Sequence, residues 1–397
     1  MQEIPTLDSL DLSGRSVFLR LDLNVPMHAG EITSDARIQA ALPTIRALLD
    51  RGARLTLASH LGRPKGQIRR EDSLEPVGMR LCELLGREVV LCEDSIGDGV
   101  RGLVREGRAG SVLLLENLRF HAGEEANDPE FARQLAAPFD IYVNDAFGAS
   151  HRAHASIVGM VRHLGAHAGG LLLHREVEAL GKLMHAPVRP FVALVGGAKV
   201  SDKLGVLEAL LGRVDTLCIG GAMAYTFLKA AGVEVGASRF EADRLRVASE
   251  VMARAKAREV RLLLPSDHIA ATRFEATATP QRALTPQLAA GQIGLDIGPD
   301  TLARYSAAID AAATVFWNGP MGVFEWPAFA AGTLGIAQAV ARCPGYTVVG
   351  GGDSVAALEA AEVVSSVRHV STGGGASLEL LQYGTLPGLE ALRGRLT

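Results

Sequence analysis

The fold is decided by one stretch near the middle of the chain, Phe191-Val192-Ala193-Leu194-Val195-Gly196-Gly197-Ala198-Lys199-Val200-Ser201-Asp202-Lys203-Leu204. Its apolar run predicts a buried parallel strand, its glycine pair a tight turn, and the leucines from Leu204 onward a helix. Glycines allow close approach of a ligand to the backbone, and the free N–H groups at a helix start bind anions. Lys199 and Lys203 stand four apart, so we place both on one face of a helical turn. The stretch predicts a phosphate-binding turn; a solvated glycine turn is the alternative.

Lysine is scarce in this chain. Only 6 of the 40 basic residues are Lys, and the other 34 are Arg. The ammonium groups of two lysines in one turn are compact, mobile point charges, which indicates a site for a phosphoryl group that moves during the reaction. Planar guanidinium groups of Arg would instead indicate a site that holds an anion in a fixed orientation.

Length and composition limit the class of protein. A chain of 397 residues exceeds what one core usually serves, so two domains are expected. A hydrophobic fraction of 48% with 44 Gly fits an α/β fold, and a net charge of −4 argues against a nucleic-acid partner. Four widely spaced cysteines without C-x-x-C predict reduced, mostly buried thiols. With no signal peptide and no membrane-length apolar run, we expect a cytoplasmic protein without a membrane partner.

Polar side chains end the first predicted strand and begin the helix after it. In Val17–Pro26 a period of two places Arg20, Asp22 and Asn24 on one side, although a half-exposed edge strand would show the same pattern. A helix is predicted from Asp35 to Leu49, with Arg37 in its first turn. A cation there opposes the helix dipole, which indicates an anionic ligand.

Basic side chains also follow the next three predicted strands. Ligands of open α/β sheets bind beyond the carboxyl ends of the strands, so these side chains should converge. We call the converging set the basic basin: Arg37, His60, Arg63, Arg119 and Arg152. Any one of them could be a surface residue, but five in such positions predict a small, multiply anionic substrate.

His151 and His154 form an H-x-x-H pair that could hold a metal ion. No third ligand stands at helical spacing, and Arg152 between them would repel a cation. The sequence therefore argues against a zinc site.

An amphipathic helix is predicted within 169–183, preceded by the glycine pair Gly169 and Gly170 and followed by Pro187 and Pro190. We interpret it as a helix that links two α/β domains and has hinge-capable ends. An ordinary domain helix is the alternative.

The C-terminal half repeats the strand-to-glycine pattern, which predicts an anion- and nucleotide-binding surface built from backbone. Asp353, between a triple glycine and a new helix, is either a helix N-cap or a Mg²⁺ ligand shared with phosphate oxygens. Glu325 lies in a loop suited to ribose hydroxyls. Neither G-x-x-x-x-G-K-[ST] nor an early G-x-G-x-x-G is present, which argues against P-loop and dinucleotide proteins.

Taken together, these motifs resemble phosphoglycerate kinases from Val17 to Leu386. The segments that stand in that family's order are Arg20–Pro26, His60–Pro64, Asn144–Ser156, Gly196–Lys203, Trp317–Trp326, Gly350–Ser354 and Ser371–Gly375. The resemblance implies an α/β fold of two Rossmann-like domains with parallel sheets, joined by an interdomain helix. It places a 3-phosphoglycerate domain at 1–168, the helix and hinge at 169–187, a nucleotide domain at 188–375, and a tail returning to the N-terminal domain at 376–397.

The resemblance also implies a reaction: the reversible transfer of a phosphoryl group between 1,3-bisphosphoglycerate and ADP, which gives 3-phosphoglycerate and ATP. It implies that Mg²⁺ is required, that transfer takes place in a closed cleft between the two domains, and that the protein is a monomer. Residues implied to hold 3-phosphoglycerate are Asp22, Asn24, Arg37, His60, Leu61, Gly62, Arg63, Arg119 and Arg152. Residues implied to serve ADP or ATP are Lys203, Gly220, Gly221, Asn318, Glu325, Gly351, Gly352, Asp353 and Ser354, with Asp353 on the metal. Arg37, Lys199 and Gly374 are the implied catalytic residues.

Three positions depart from the family pattern. Ser354 stands where Thr is usual and keeps the hydroxyl, Ala222 replaces a third glycine, and Met321 replaces Val. Ala222 could alter the fit around the base, so it leaves the nucleotide preference open.

The implied reaction suits the residue types. Its acceptor carboxylate, with a pKa of roughly 4, is already ionised near neutral pH, so no general base is required. What the reaction mainly requires from the protein is neutralisation of the negative charge around the phosphoryl group during in-line transfer.

A sugar-phosphate binding protein and a dinucleotide oxidoreductase are the rival classes. The first would normally carry a signal peptide and would not need Asp353 or paired lysines, and the second lacks its fingerprint.

Overall fold

The computed structural model describes residues 3–394, which form two compact units, each built on a six-stranded parallel sheet. Unit 1 contains residues 3–178 and 385–394, and unit 2 contains residues 179–384. The predicted α/β class with two parallel sheets is confirmed.

The strands of unit 1 are β1 (Ser16–Arg20), β2 (Met27–His28), β3 (Glu31–Ile32), β4 (Arg54–Ala58), β5 (Val90–Leu91), β6 (Val112–Leu114), β7 (Ile141–Asn144) and β8 (Ala166–Gly169). Its helices are α1 (Ala36–Asp50), α2 (Glu75–Leu85), α3 (Asp98–Glu106), α4 (Ala122–Glu125), α5 (Pro129–Ala136) and, from the far end of the chain, α14 (Pro387–Leu392). The helix α6 (Leu171–His185) follows β8.

The strands of unit 2 are β9 (Phe191–Val195), β10 (Thr216–Ile219), β11 (Arg261–Leu263), β12 (His268–Ala271), β13 (Gln281–Ala283), β14 (Ile293–Ile297), β15 (Thr314–Asn318), β16 (Tyr346–Gly350) and β17 (His369–Val370). Its helices are α7 (Leu204–Leu210), α8 (Met223–Ala230), α9 (Leu245–Ala257), α10 (Pro299–Asp310), α11 (Ala331–Arg342), α12 (Gly352–Ala360) and α13 (Gly375–Tyr383).

The order of strands in each large sheet locates its ligand site. Unit 1 has the order β5-β6-β4-β1-β7-β8, so the chain moves outward from β1 in one direction and then in the other. Unit 2 has the order β11-β10-β9-β15-β16-β17, with the same reversal at β9. Open α/β sheets bind ligands at such a switch point, beyond the carboxyl ends of the strands. The expected sites therefore follow β1 and β7 in unit 1, and β9 and β15 in unit 2.

The central strands are apolar because both of their faces are buried. All five residues of β1, of β9 and of β15 are buried. Such unbroken runs are typical of parallel sheets covered on both faces, and they are the reason the sequence predicts these strands.

The start of α6 is held by two side chains of unit 1. The Thr44 hydroxyl accepts a hydrogen bond from the Leu171 N–H at 3.0 Å, and the buried Asp145 carboxylate accepts one from the Leu173 N–H at 3.0 Å. Burial raises the pKa of Asp145 to about 6. The boundary between the units falls within α6, after Glu178.

A three-stranded antiparallel sheet, with the order β13-β12-β14, was not predicted from the sequence. Its strands are three to five residues long, and none has the apolar run that marks the strands of the large sheets. It belongs to unit 2, where its strand β14 forms part of the site described next.

None of the described helices combines the length and the apolarity needed to cross a lipid bilayer.

Candidate active site

The ends of β1 and β4 bring two buried basic side chains, Arg20 and His60, together in unit 1. Arg20 is only 1% exposed, donates a 2.7 Å hydrogen bond to the Ser156 hydroxyl, and lies 3.3 Å from Nδ1 of His60. Burial, followed by the positive charges of Arg20, Arg119 and Arg152, holds the pKa of His60 well below its usual value. His60 is therefore neutral at pH 7, and three members of the basic basin, His60, Arg119 and Arg152, lie close enough to interact.

Backbone groups connect the basic basin to the end of β1. The side chain of Asn24 accepts a 3.0 Å hydrogen bond from the Gly62 N–H, and the Gly62 carbonyl accepts one of 2.8 Å from Arg119. The carbonyl of the buried Leu61 accepts a 2.7 Å hydrogen bond from the Asn117 amide. Burial lowers the pKa of Arg119 to about 10, which leaves the guanidinium charged.

Asp22 and Arg37 form an ion pair. β1 ends at Arg20, so the prediction that the strand carries Asp22 and Asn24 is wrong; the alternation of buried and half-buried residues nevertheless continues through that segment. Arg37 is the second residue of α1, as predicted, and its side chain is 33% exposed. Arg63 is exposed, and within the described chain no hydrogen bond joins it to the rest of the basic basin.

A buried carboxylate that sequence reasoning missed lies behind these cations. Glu124 is fully buried and accepts hydrogen bonds from the Ser156 N–H at 2.9 Å and the Ser156 hydroxyl at 2.6 Å. Its carboxylate lies 3.9 Å from the Arg20 guanidinium and 3.8 Å from Nδ1 of His154. Glu124 thus offsets part of the positive charge. No local pattern reveals it, because α4 carries it to the cluster from outside the strand ends.

The lysines of the central stretch do not lie on a helix. α7 begins at Leu204, so the prediction that Lys199 and Lys203 share one face of a helical turn is wrong. The Glu241 carboxylate accepts hydrogen bonds from the Val200 and Ser201 N–H groups at 2.6 and 3.2 Å, which holds this segment outside the helix. Lys199 is consequently exposed in the loop after β9.

Lys203 lies beside the end of β15. Its ammonium donates a hydrogen bond to the side-chain oxygen of Asn318, the last residue of that strand. Burial lowers the pKa of Lys203, while the charges of Asp353 and Asp202 act in the opposite direction. Lys203, Asn318 and Asp353 are therefore neighbours at the switch point of the second sheet.

Hydrogen bonds also hold the ends of β15 and β16 together. The Asn318 amide donates to the Gly350 carbonyl at 2.8 Å, and the buried Ser354 hydroxyl accepts from the Gly319 N–H at 2.6 Å. The N-cap residue of α12 is Gly351, so the alternative that Asp353 is the N-cap is wrong. Asp353 follows Gly352 in the first turn and is exposed, and a negative charge is favourable there.

A cavity of about 440 Å³ lies at this edge of unit 2. Backbone segments that follow β9, β10 and β15 form one wall, and Glu325 and Asp353 also line it. Gly221, with a φ of +67°, is part of that wall directly after the buried Gly220. A Cβ atom on Gly221 would lie 2.6 Å from the Gly197 nitrogen, so only glycine fits.

Other cavity residues were not predicted from the sequence, among them Tyr225, Arg239, Phe274, Gly294 and Asp296. They come from α8, from the chain before α9 and from the small antiparallel sheet with its loops. Burial raises the pKa of Asp296 to about 7, although its carboxylate accepts a 2.6 Å hydrogen bond from the Gly332 N–H. The alternation over Ile293–Ile297 is the only local signal for this wall.

The last glycine turn precedes α13. Gly374 adopts a φ of +53° at the N-cap position, and the Ser371 hydroxyl accepts a 3.2 Å hydrogen bond from the Gly373 N–H. This glycine turn leads directly into a helix start, and helix starts are places where anions bind.

One parallel-sheet unit thus has a region lined by cations, and the other has a glycine-walled cavity beside a lysine. This combination is typical of two-domain, nucleotide-dependent phosphotransferases. The comparison with known proteins is more specific: the chain belongs to the phosphoglycerate kinase family, whose model matches residues 7–383. Members of this family catalyse the reversible glycolytic transfer of a phosphoryl group between 1,3-bisphosphoglycerate and ADP, giving 3-phosphoglycerate and ATP. The protein is therefore an enzyme, a kinase among the transferases.

The similarity extends over nearly the whole chain. A phosphoglycerate kinase of Anaeromyxobacter sp. (strain K) is 55% identical over 389 residues, covering 97% of this chain and 98% of the relative. One from Moorella thermoacetica is 53% identical, covering 98% of each chain. The solved structure of phosphoglycerate kinase from Coxiella burnetii matches with a TM-score of 0.90 at 40% identity, over 100% of both chains.

Proposed function

We propose that unit 1 of this kinase binds 3-phosphoglycerate or 1,3-bisphosphoglycerate. The observation that carries this proposal is the cluster of Arg20, Arg119 and Arg152 around the neutral His60. Glu124 and Glu125 supply two negative charges against these three positive ones, so the cluster favours an anionic ligand. The residues proposed to contact the ligand are Asp22, Asn24, Arg37, His60, Leu61, Gly62, Arg63, Arg119 and Arg152.

Unit 2 binds ADP or ATP in the cavity, in our proposal. The glycine-lined wall suits close approach of phosphates to the backbone, and the apolar opposite wall suits a nucleobase. The residues proposed to serve the nucleotide are Lys203, Gly220, Gly221, Asn318, Glu325, Gly351, Gly352, Asp353 and Ser354.

Three residues act on the transferred group itself. Arg37 and Lys199 neutralise its developing negative charge, and the turn at Gly374 presents backbone N–H groups to it. No side chain removes a proton, because the acceptor carboxylate is already ionised. Catalysis therefore consists of positioning the two substrates and stabilising the charge of the transition state.

Mg²⁺ accompanies the nucleotide in this proposal, and the residues present fit it. Within residues 3–394, no group of three or more His, Cys, Asp or Glu side chains is placed to hold a metal ion. Asp353 and Glu325 are the exposed carboxylates among the described residues that line the cavity, and Asp353 is the one close enough to Lys203 to interact with it. One carboxylate at that end suits an ion that takes its other ligands from phosphate oxygens and water. When bound, the ion would neutralise phosphate charge.

Asp353→Asn should raise the Mg²⁺ concentration needed for half-maximal activity by at least about tenfold, because a neutral amide is a weaker ligand for a hard cation. A coupled assay with 3-phosphoglycerate, ATP and titrated Mg²⁺ measures this. Glu359→Gln, at an exposed position of the same helix, is the control. An unchanged Mg²⁺ requirement in Asp353→Asn would remove Asp353 from the metal site.

The two proposed binding regions belong to different units, and in-line transfer needs reacting atoms about 3 Å apart. We therefore propose a closing movement about residues 169–190 that brings both ligands together and excludes water from the acyl phosphate. The α6 helix crosses the boundary between the units and supplies the connection.

Small-angle X-ray scattering should show a smaller radius of gyration with 3-phosphoglycerate and a non-hydrolysable ATP analogue together than with either alone. The reason is that closure requires both ligands to contribute contacts. The single-ligand samples are the controls. Identical scattering in all states would contradict the closing movement.

The partners we propose are these small molecules alone, for a monomeric protein without nucleic-acid or membrane partners. We propose the cytoplasm as its compartment, since Cys82, Cys92, Cys218 and Cys343 are all free thiols.

A further inference from the structure

The cavity of unit 2 has two chemically different ends. One end, near Gly197 and Asp353, adjoins Lys203 and Asn318 and is polar. The other end is formed by apolar and aromatic groups, which are Tyr225, Ala237, Phe274, Ile293 and Leu295. Phosphates fit the first end and a nucleobase the second.

Arg239 lies at the apolar end. The preceding segment is fixed to β14, because the Ala237 N–H donates a 2.7 Å hydrogen bond to the Gln292 carbonyl and the Ser238 hydroxyl accepts one of 2.9 Å from the Gly294 N–H. Gly294 also packs directly against the side chain of Tyr225. Arg239 is therefore held beside the wall that would meet a nucleobase.

Arg239 is also the one cation among the described residues that line the cavity. The other charged residues there are Asp296, Glu325 and Asp353, and the Asp296 carboxylate is already occupied by the N–H groups of Gly332 and Ile297. The Arg239 side chain is exposed and, among the described residues, makes no hydrogen bond or ion pair. Its five N–H donors are therefore available to a ligand.

The apolar wall cannot distinguish one purine from another. Phe274 is 59% exposed and lies with its ring centroid 4.8 Å from that of Trp326, so it can offer a face to any base. Discrimination requires a polar group that matches the edge of the base. Among the described residues at that end of the cavity, Arg239 is the one whose side-chain donors are unpaired.

We propose that Arg239 determines the nucleobase preference of this kinase and favours guanine nucleotides. The fork of a guanidinium matches the O6 and N7 acceptors of guanine, whereas adenine presents an amino donor in place of O6. GTP and GDP are then used at least as efficiently as ATP and ADP. This inference depends on the proposed nucleotide site in unit 2.

Initial rates with saturating 3-phosphoglycerate and Mg²⁺ test it, comparing kcat/KM for GTP and for ATP. The wild-type ratio of GTP to ATP should be one or greater, and Arg239→Met should lower that ratio by about tenfold, through a higher KM for GTP. Arg239→Lys, which keeps the charge but loses the fork, should give an intermediate ratio. Arg246→Met, at a position 87% exposed on α9, should leave the ratio unchanged.

Three outcomes would overturn the inference. A wild-type enzyme that uses ATP much better than GTP would contradict the preference itself. An unchanged ratio in Arg239→Met would show that the guanidinium does not read the base, and an equal loss with both nucleotides would place it on phosphate or ribose. Failure of the wild-type protein to turn over either nucleotide would instead refute the proposed function, and calorimetric titration with GDP and ADP separates the two cases.

Discussion

Replacing Lys199 by Ala will lower kcat by on the order of 10²-fold or more and leave the fold intact. Lys199 is exposed in the loop that follows β9, at the switch point of the second sheet, so no core contact is lost. In the proposed mechanism, the substitution removes a mobile positive charge beside the transferred phosphoryl group. The coupled assay with 3-phosphoglycerate, ATP and Mg²⁺ measures kcat, and circular dichroism checks the fold.

Lys256→Ala is the matched control, because Lys256 is an exposed lysine on α9 and lies outside the proposed site. It should retain wild-type turnover. Lys199→Arg should recover part of the activity, since charge is restored with a different geometry. Near-wild-type kcat in Lys199→Ala would remove this residue from the mechanism.

Arg37→Ala will also lower kcat by on the order of 10²-fold or more, because in the proposed mechanism its guanidinium stabilises charge that develops in the transition state. Arg37 lies in the first turn of α1, where its charge opposes the helix dipole, and its contact with Asp22 sets its position. The same assay should show a larger change in kcat than in the KM for 3-phosphoglycerate.

Arg46→Ala on the same helix is the control for Arg37. Arg46 donates a 3.1 Å hydrogen bond to the Leu84 carbonyl on the protein surface, and its loss should leave kcat unchanged. If Arg37→Ala instead raised only the KM, Arg37 would bind substrate without stabilising the transition state.

The large sheets could be predicted from the sequence because parallel strands buried on both faces leave unbroken apolar runs. The run Phe191–Val195 coincides with β9. The helix after it begins later than the sequence predicts, because its start depends on Glu241, some 40 residues away. The Glu241 carboxylate accepts hydrogen bonds from the N–H groups of Val200 and Ser201. A tertiary contact of this kind leaves no trace in local periodicity.

The candidate site likewise has residues that the sequence predicts and residues that only tertiary packing brings into place. Basic residues such as His60 and Arg119 could be predicted because they directly follow strands or strand-end turns, where position along the chain predicts position in space. Glu124 and the wall around Gly294 were missed because α4 and the short strand β14 reach the sites only through packing. Arg239 gave no signal, since an exposed arginine after a turn is ordinary until its neighbours are known.

Unit 1 is assembled from two distant parts of the chain, whereas unit 2 is continuous. The Gly388 N–H donates a 2.9 Å hydrogen bond to the Ser150 carbonyl, and His167 lies 3.2 Å from the Leu392 carbonyl oxygen. During synthesis on the ribosome these partners of Ser150 and His167 emerge after every residue of unit 2. The unit made first is thus completed last, and a nascent chain can finish unit 2 while unit 1 still lacks one helix.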